Sequence, residues 1–276
     1  MAAIDSKVPG NPREGGSLAP SRPVVVARDA GYTHDGYRSF EFTSLEAPAG
    51  EVTALLSADA AAGRDLLLAV AGLVRPLQGS LVVDGVELAG GFSAAGAASV
   101  LDRLRARTRA ARREKLPAGT VGLGVVSGVL DAPASLSVEE AVGRVFSPRR
   151  ARGSAAGTDP AGPDPTGPGP ASDLLSFLGA CGLATMSDAS VADLPAPGRA
   201  RLSAALALAG MPRAACVDLS DPFCAGLSVP AARSLMRDLA RLAHALGCAV
   251  IVATADPSVA AEATVFVNLD AEEVEA

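Results

Sequence analysis

Three stretches of the chain, residues 52–56, 214–219 and 248–254, are apolar at nearly every position instead of at alternate ones. A strand of that kind has no solvent face, so it must be covered on both sides. Helix-length segments at 198–209 and 231–246 separate the later stretches, and a short helix around 257–261 leads into a last strand at 265–269. Continuous apolar strands alternating with helices fold as a parallel sheet with layers on both faces. The beginning is different. Strands at 24–27 and 40–48 read as antiparallel, the second with alternating apolar and polar positions, and Asp84-Gly85 between the alternating hydrophobics of 81–88 is a hairpin signal.

Other segments are expected from local chemistry. Residues 66–73 form an apolar helix, closed by Val74-Arg75-Pro76, and 121–126 form a further strand. Ser137 caps a helix beginning at Val138, with Glu140 at the capping-box position. A helix is expected at 172–181, and a basic helix at 100–115, read as a solvated face with its leucines turned inward or as a contact for acidic partners or phosphates. Residues 1–22 read as a disordered arm, too rich in Gly, Pro, Ser and charge to offset ordering, and 147–171 as a flexible Pro/Gly/Ala insert. The remainder, 23–276, reads as a single domain.

Composition narrows the function. The 276 residues carry a formal net charge of -6, and aromatics are 3% with no tryptophan. Neither a basic footprint nor an aromatic stacking surface is present, so a nucleic-acid partner is not expected. No stretch reaches the roughly 18 unbroken apolar residues of a membrane span, and no apolar run follows the first charges as in a secretory signal; a cytoplasmic place is expected. Cys181, Cys216, Cys224 and Cys248 form no CxxC pair and read as core residues, leaving no metal set. Lysine occurs only at positions 7 and 115, glutamine only at 78 and histidine only at 34 and 244, so chemistry that needs these types elsewhere is excluded. Alanine-rich, lysine-poor usage suggests a GC-rich bacterial genome.

Five segments in order resemble the ATP-binding subunit of ABC transporters: LEAPAGEVTALLS, LLLAVAGLVRPLQGSLVVDGVEL, ASLSVEEAV, PRAACVDLSDPFCAGLS and GCAVIVATADPSVAAEATVFVNL. The resemblance covers the chain apart from the arm and the insert. It implies a RecA-like P-loop NTPase core with a parallel sheet, an N-terminal antiparallel β subdomain and a helical subdomain at about 127–195. It also implies ATP and Mg²⁺, transmembrane permease subunits, a homo- or heterodimer of cassettes, and a place at the inner face of the cell membrane.

The motif positions have changed chemistry. A phosphate loop presents converging backbone N–H groups, glycines for close approach, a lysine and a hydroxyl for Mg²⁺. Counted back without gaps from Ala71-Gly72-Leu73, the loop here is residues 57–65: Ser57, Ala60 and Ala62 replace glycines, Gly63 stands at the lysine, Arg64 and Asp65 replace the hydroxyls, and Asp59 adds a charge. A slip of one residue sets Gly63-Arg64-Asp65 on GK[ST] instead. Arg64 reads as a phosphate ligand or as a residue of the helix start. The signature positions are Leu194, Pro195, Ala196, Pro197 and Gly198, where two prolines remove N–H donors. The Walker B pair falls on Ser220 and Asp221, the latter at the catalytic glutamate position, with Asp218 in place of Ser220 if the strand slides by two. The coupling-loop glutamine falls on Ser127 or Gly128, the switch histidine on Ala255 and the D-loop aspartate on Ser228, while Tyr32 lies at the adenine-stacking position or simply ends a strand. Two readings follow: a transporter cassette with weak nucleotide binding and impaired hydrolysis, or a non-catalytic scaffold of a membrane complex.

Overall fold

The computed structural model describes residues 22–34, 37–92, 115–146 and 173–270. Apart from Arg22 and Lys115, the expected arm, basic helix and insert lie outside the described residues.

The chain opens with β1 (Pro23–His34) and β2 (Tyr37–Pro48), followed by β3 (Val52–Leu56), α1 (Ala60–Val70), and the hairpin β4 (Gln78–Val83) and β5 (Val86–Phe92). Then come β6 (Val121–Leu123), α2 (Val138–Gly143), α3 (Leu174–Ala180), α4 (Ala196–Ala209), β7 (Ala214–Asp218), α5 (Val229–Leu246), β8 (Ala249–Thr254), α6 (Pro257–Ala260) and β9 (Val265–Asn268). The strands make an antiparallel sheet of order β2-β1-β4-β5 and a parallel sheet of order β6-β7-β8-β3-β9.

The parallel strands are apolar throughout because each feeds two cores. Val52, Ala54, Ala215, Val217, Val250 and Val252 face a core shared with the helices α2 to α5. Their neighbours Leu55, Cys216, Ile251 and Ala253 face a second core with α1 and the antiparallel sheet. Alternation along each strand thus serves opposite layers. α5 shows the amphipathic counterpart: Ala232, Leu235, Met236, Leu239, Leu242 and Ala243 are buried at helical spacing, while Arg233, Arg237 and Arg241 are exposed.

Local signals account for several boundaries. Ser137 accepts from the Glu140 N–H and the Glu140 carboxylate accepts from the Ser137 N–H, completing the capping box. Asp84 and Gly85 both have positive φ, 48° and 83°, as a two-residue hairpin turn of the type matched to strand twist requires. Where β6 crosses α4 the sequence has Gly122; a Cβ there would stand 1.8 Å from the Ala207 carbonyl oxygen.

Two expectations are corrected. The first strand extends to His34, beyond 24–27, because irregular pairing near Asp29 and Gly31 carries the ladder past the break in alternation. The first helix spans 60–70, not 66–73: Ala60–Ala62 are strong helix formers behind an Asp59 cap, and the helix ends ahead of Gly72, whose φ is 74°.

Candidate functional site

The early start of α1 decides the shape of the segment expected to form the phosphate loop. Only Ser57, Ala58 and Asp59 connect β3 to α1, and positions 60–65 are already helical. None of residues 57–65 has a positive φ. Alanine at positions 60 and 62 removes the conformational freedom that would let the chain wrap, and it favours helix instead.

The N–H groups of this connection are occupied by the chain's own acceptors. Ser57 N–H donates to the Thr254 carbonyl at 3.2 Å and Ala62 N–H to the Asp59 carbonyl at 3.1 Å. Asp59 accepts from Ala61 N–H at 2.9 Å, and Ser57 Oγ accepts from Asp59 N–H at 3.1 Å. Ala58 N–H donates to one carboxylate oxygen of Asp270 at 2.7 Å, and the Ser57 hydroxyl donates to the other, also at 2.7 Å. Tyr37 donates its hydroxyl to Asp59, and that carboxylate holds the phenol above its ordinary range. Gly63 faces the sheet: a Cβ there would be 2.9 Å from Ala253 Cβ, so a lysine at this place has no room.

A second cluster sits beside the first. Half-buried Arg64 donates from its guanidinium to the Ser127 carbonyl at 3.2 Å. Ser127 in turn donates its N–H and its hydroxyl to the two carboxylate oxygens of Asp221, at 2.8 and 2.6 Å. Asp221, itself buried, also accepts from Phe223 N–H at 2.8 Å. β7 ends at Asp218, whose carboxylate accepts from Ser220 N–H at 2.8 Å. Burial pushes the Asp218 carboxyl up to about 6, opposed by the backbone N–H groups of Ser220 and Asp221 and by the Arg64 charge. The structure therefore brings Arg64, Ser127 and Asp221 together by hydrogen bonds, with Asp218 adjacent and Ser220 two residues beyond the strand end.

No protein-family model matches the sequence, and no curated protein matches it. Solved structures share the arrangement. cbiO1 from Clostridium perfringens, part of the ABC transporter complex cbiONQ, superposes with a TM-score of 0.52 at 19% identity, over 86% of this chain and 80% of that one. The ATP-binding cassette MJ0796, solved as a dimer bound to ADP and Pi, gives 0.55 at 16% identity, over 89% and 94%. A putative metal-chelate type ABC transporter in an inward-facing conformation gives 0.56 at 15%, over 90% and 79%. The fold is that of an ATP-binding cassette.

The remaining residues expected at motif positions lie at helix starts, in β1 and in one exposed loop. Leu194 precedes α4, and Pro195 caps it without a side-chain bond; Ala196, Pro197 and Gly198 form its first turn. Arg199 fastens that turn to the loop after β7, donating to the carbonyls of Phe223 (2.6 Å), Ala225 (2.7 Å) and Leu194 (2.8 Å). Ser228 caps α5 without a side-chain bond, and Ala255 is exposed next to Asp256, which caps α6. Tyr32 lies half-buried in β1, its ring 6.2 Å from that of Phe40; the aromatic that touches residue 59 is Tyr37.

A nucleoside triphosphate, which a cassette implies, does not fit the residues at 57–65. The N–H donors of Ser57, Ala58, Asp59, Ala61 and Ala62 already have acceptors, and two of those acceptors are carboxylates. A phosphate about 4 Å from one such charge is opposed by about 4 kcal/mol at an effective dielectric of 20. Asp221 carries three hydrogen bonds, two on one carboxylate oxygen and one on the other, so most of its acceptor capacity is directed at the chain itself. Tyr37 and Asp270 had no sequence signature: Asp270 is 213 positions from Ser57 and arrives there only because β9 pairs with β3, Asn268 opposite Leu56.

Proposed function

We propose that this chain is a cassette subunit of a membrane transport complex that pairs with a second cassette and docks on membrane-spanning subunits while turning over no ATP itself. The observation that carries the reading is the helix beginning at Ala60 behind a self-bonded three-residue turn, where a nucleotide-hydrolysing cassette needs an open phosphate loop. Further support comes from the Asp221 carboxylate, bonded to Ser127 and Phe223, and from the two prolines at the N-terminus of α4. Loss of the lysine, the Mg²⁺ hydroxyl and a free base together removes several contributions of about 10² or more each in rate. None of the described helices is long and apolar enough to cross a membrane, so on this reading attachment is peripheral, at the inner face, through the permease subunits. The single domain from residue 23 to 276, with its helical part at about 127–195, belongs to the same proposal.

The test is equilibrium binding of ATP with and without Mg²⁺ to the purified protein, read by thermal shift and a fluorescent nucleotide, alongside phosphate release. The expected result is no shift at millimolar Mg²⁺-ATP and no phosphate above the buffer rate. Micromolar binding that Arg64→Ala abolishes, or turnover that Asp221→Ala abolishes, overturns the proposal and restores an ATP-driven cassette rebuilt around arginine.

A further inference from the structure

We infer that Asp270 is an internal anion built into this cassette: its carboxylate permanently occupies the donors at the head of the degenerate phosphate loop and pins the end of the last strand to it. The inference deepens the reading of a cassette that turns over no ATP, and rests on it. Two oxygens of one carboxylate meet two donors of different kinds, the Ser57 hydroxyl and the Ala58 N–H, both at 2.7 Å. Short bidentate contacts of this type are the strong, charge-assisted class.

The placement is fixed from three directions. β9 runs parallel to β3 with Asn268 opposite Leu56, and Leu269 N–H continues the ladder to the Leu56 carbonyl at 2.8 Å. Asp270 N–H donates to Asn268 Oδ1 at 3.1 Å, turning the chain so that the carboxylate swings over the connection. On the receiving side Ser57 is buried, held by Thr254, and its oxygen also accepts from Asp59 N–H, which orients the hydroxyl proton toward Asp270. Asp270 itself is exposed. A solvent anion can therefore reach the same donors once the carboxylate is gone, and competes with a tethered one while it is present. Tethering favours the internal group, because its cost in translational freedom is already met by the β3–β9 pairing.

The experiment compares wild type with Asp270→Ala and Asp270→Asn, using inorganic phosphate as the probe and amide hydrogen exchange as a second reading. In wild type, the Ala58 amide is protected and millimolar phosphate leaves the melting temperature unchanged. Loss of one charge-assisted bond corresponds to about ten- to hundredfold faster local opening, so Ala58 exchange accelerates by that factor in Asp270→Ala, and phosphate now raises its melting temperature. Wild type that responds to phosphate as strongly as the variants overturns the inference. Folded variants that gain no phosphate response also overturn it, while leaving the reading of a cassette without turnover intact. If neither variant folds, an unprotected Ala58 amide in wild type is still enough to overturn it. ATP turnover by wild type is a separate outcome that removes the underlying reading.

Discussion

Asp218 is a buried carboxyl, 2% exposed, at the C-terminal end of a central strand, with the Asp221 charge nearby and the backbone N–H groups of Ser220 and Asp221 directed at it. Burial raises it from 3.8 to about 6, so the folded chain holds this proton more tightly than the unfolded chain does. Between pH about 4 and about 6 the native state then binds more protons than the unfolded state, and stability falls as pH rises. The penalty is absent below that window, where both states are protonated, and complete above it, where both are ionised. The interval from 3.8 to about 6 corresponds to about 3 kcal/mol. Asp218→Asn removes the charge while keeping an acceptor for Ser220 N–H. Denaturant unfolding of both proteins from pH 4 to 7.5 should therefore give a difference that moves in favour of the variant by about 2 kcal/mol as pH rises, the rest of the change lying below pH 4. An amide left without a partner in the same place costs about 1–3 kcal/mol at every pH, so the slope is the test and the offset is not. Asp256 and Glu262, held below their ordinary range by Ser258 and by Arg233, tilt the chain's total stability the other way in acid. They cancel in the difference. A wild type minus variant difference that is flat between pH 4 and 7 would falsify the assignment of a desolvated carboxyl at position 218.

Three further outcomes are expected. Asp59→Ala removes the side-chain cap of α1 and costs about 1 kcal/mol in denaturant unfolding, with Asp59→Asn nearly silent; equal losses for both point to charge and not to capping. Gly122→Ala places a methyl against the Ala207 carbonyl and costs about 3 kcal/mol or more. Gly119→Ala, at φ 79° with nothing within 4 Å, costs only the left-handed strain of about 1–2 kcal/mol, so similar melting temperatures for the two variants contradict the close crossing of β6 and α4. All four cysteines are buried; desolvation raises the thiols of Cys181, Cys224 and Cys248 to about 12 and pushes Cys216 up as well. A disulfide reagent should therefore label none of them at pH 8 until denaturant is added.

Where the information is local, the chain was legible from its sequence. Ser137 and Glu140 satisfy each other within one helical turn, Asp84-Gly85 can take the two positive φ values the hairpin needs, and uninterrupted apolar runs require layers on both faces. The ordered motif segments likewise pointed to the cassette fold, and the resemblance of backbone to solved cassettes agrees. The apolar stretch 66–73 predicts a first helix six residues too late, because the alanines and the aspartate cap ahead of it carry no apolar period.

The order of segments determined the layers, and residue identity alone confines lysine, glutamine and histidine to five positions of the chain. Tertiary structure alone decided which side chains meet. Ser127 meets Asp221 across 94 positions and Ser57 meets Asp270 across 213, contacts set by parallel strand pairing and by the packing of α1 on the sheet. Hydrogen bonds form within about 3 Å, whereas periodicity and motif spacing report only on neighbours along the chain. Which residue types are present was therefore written in the sequence, and the partners of each became visible only in the fold.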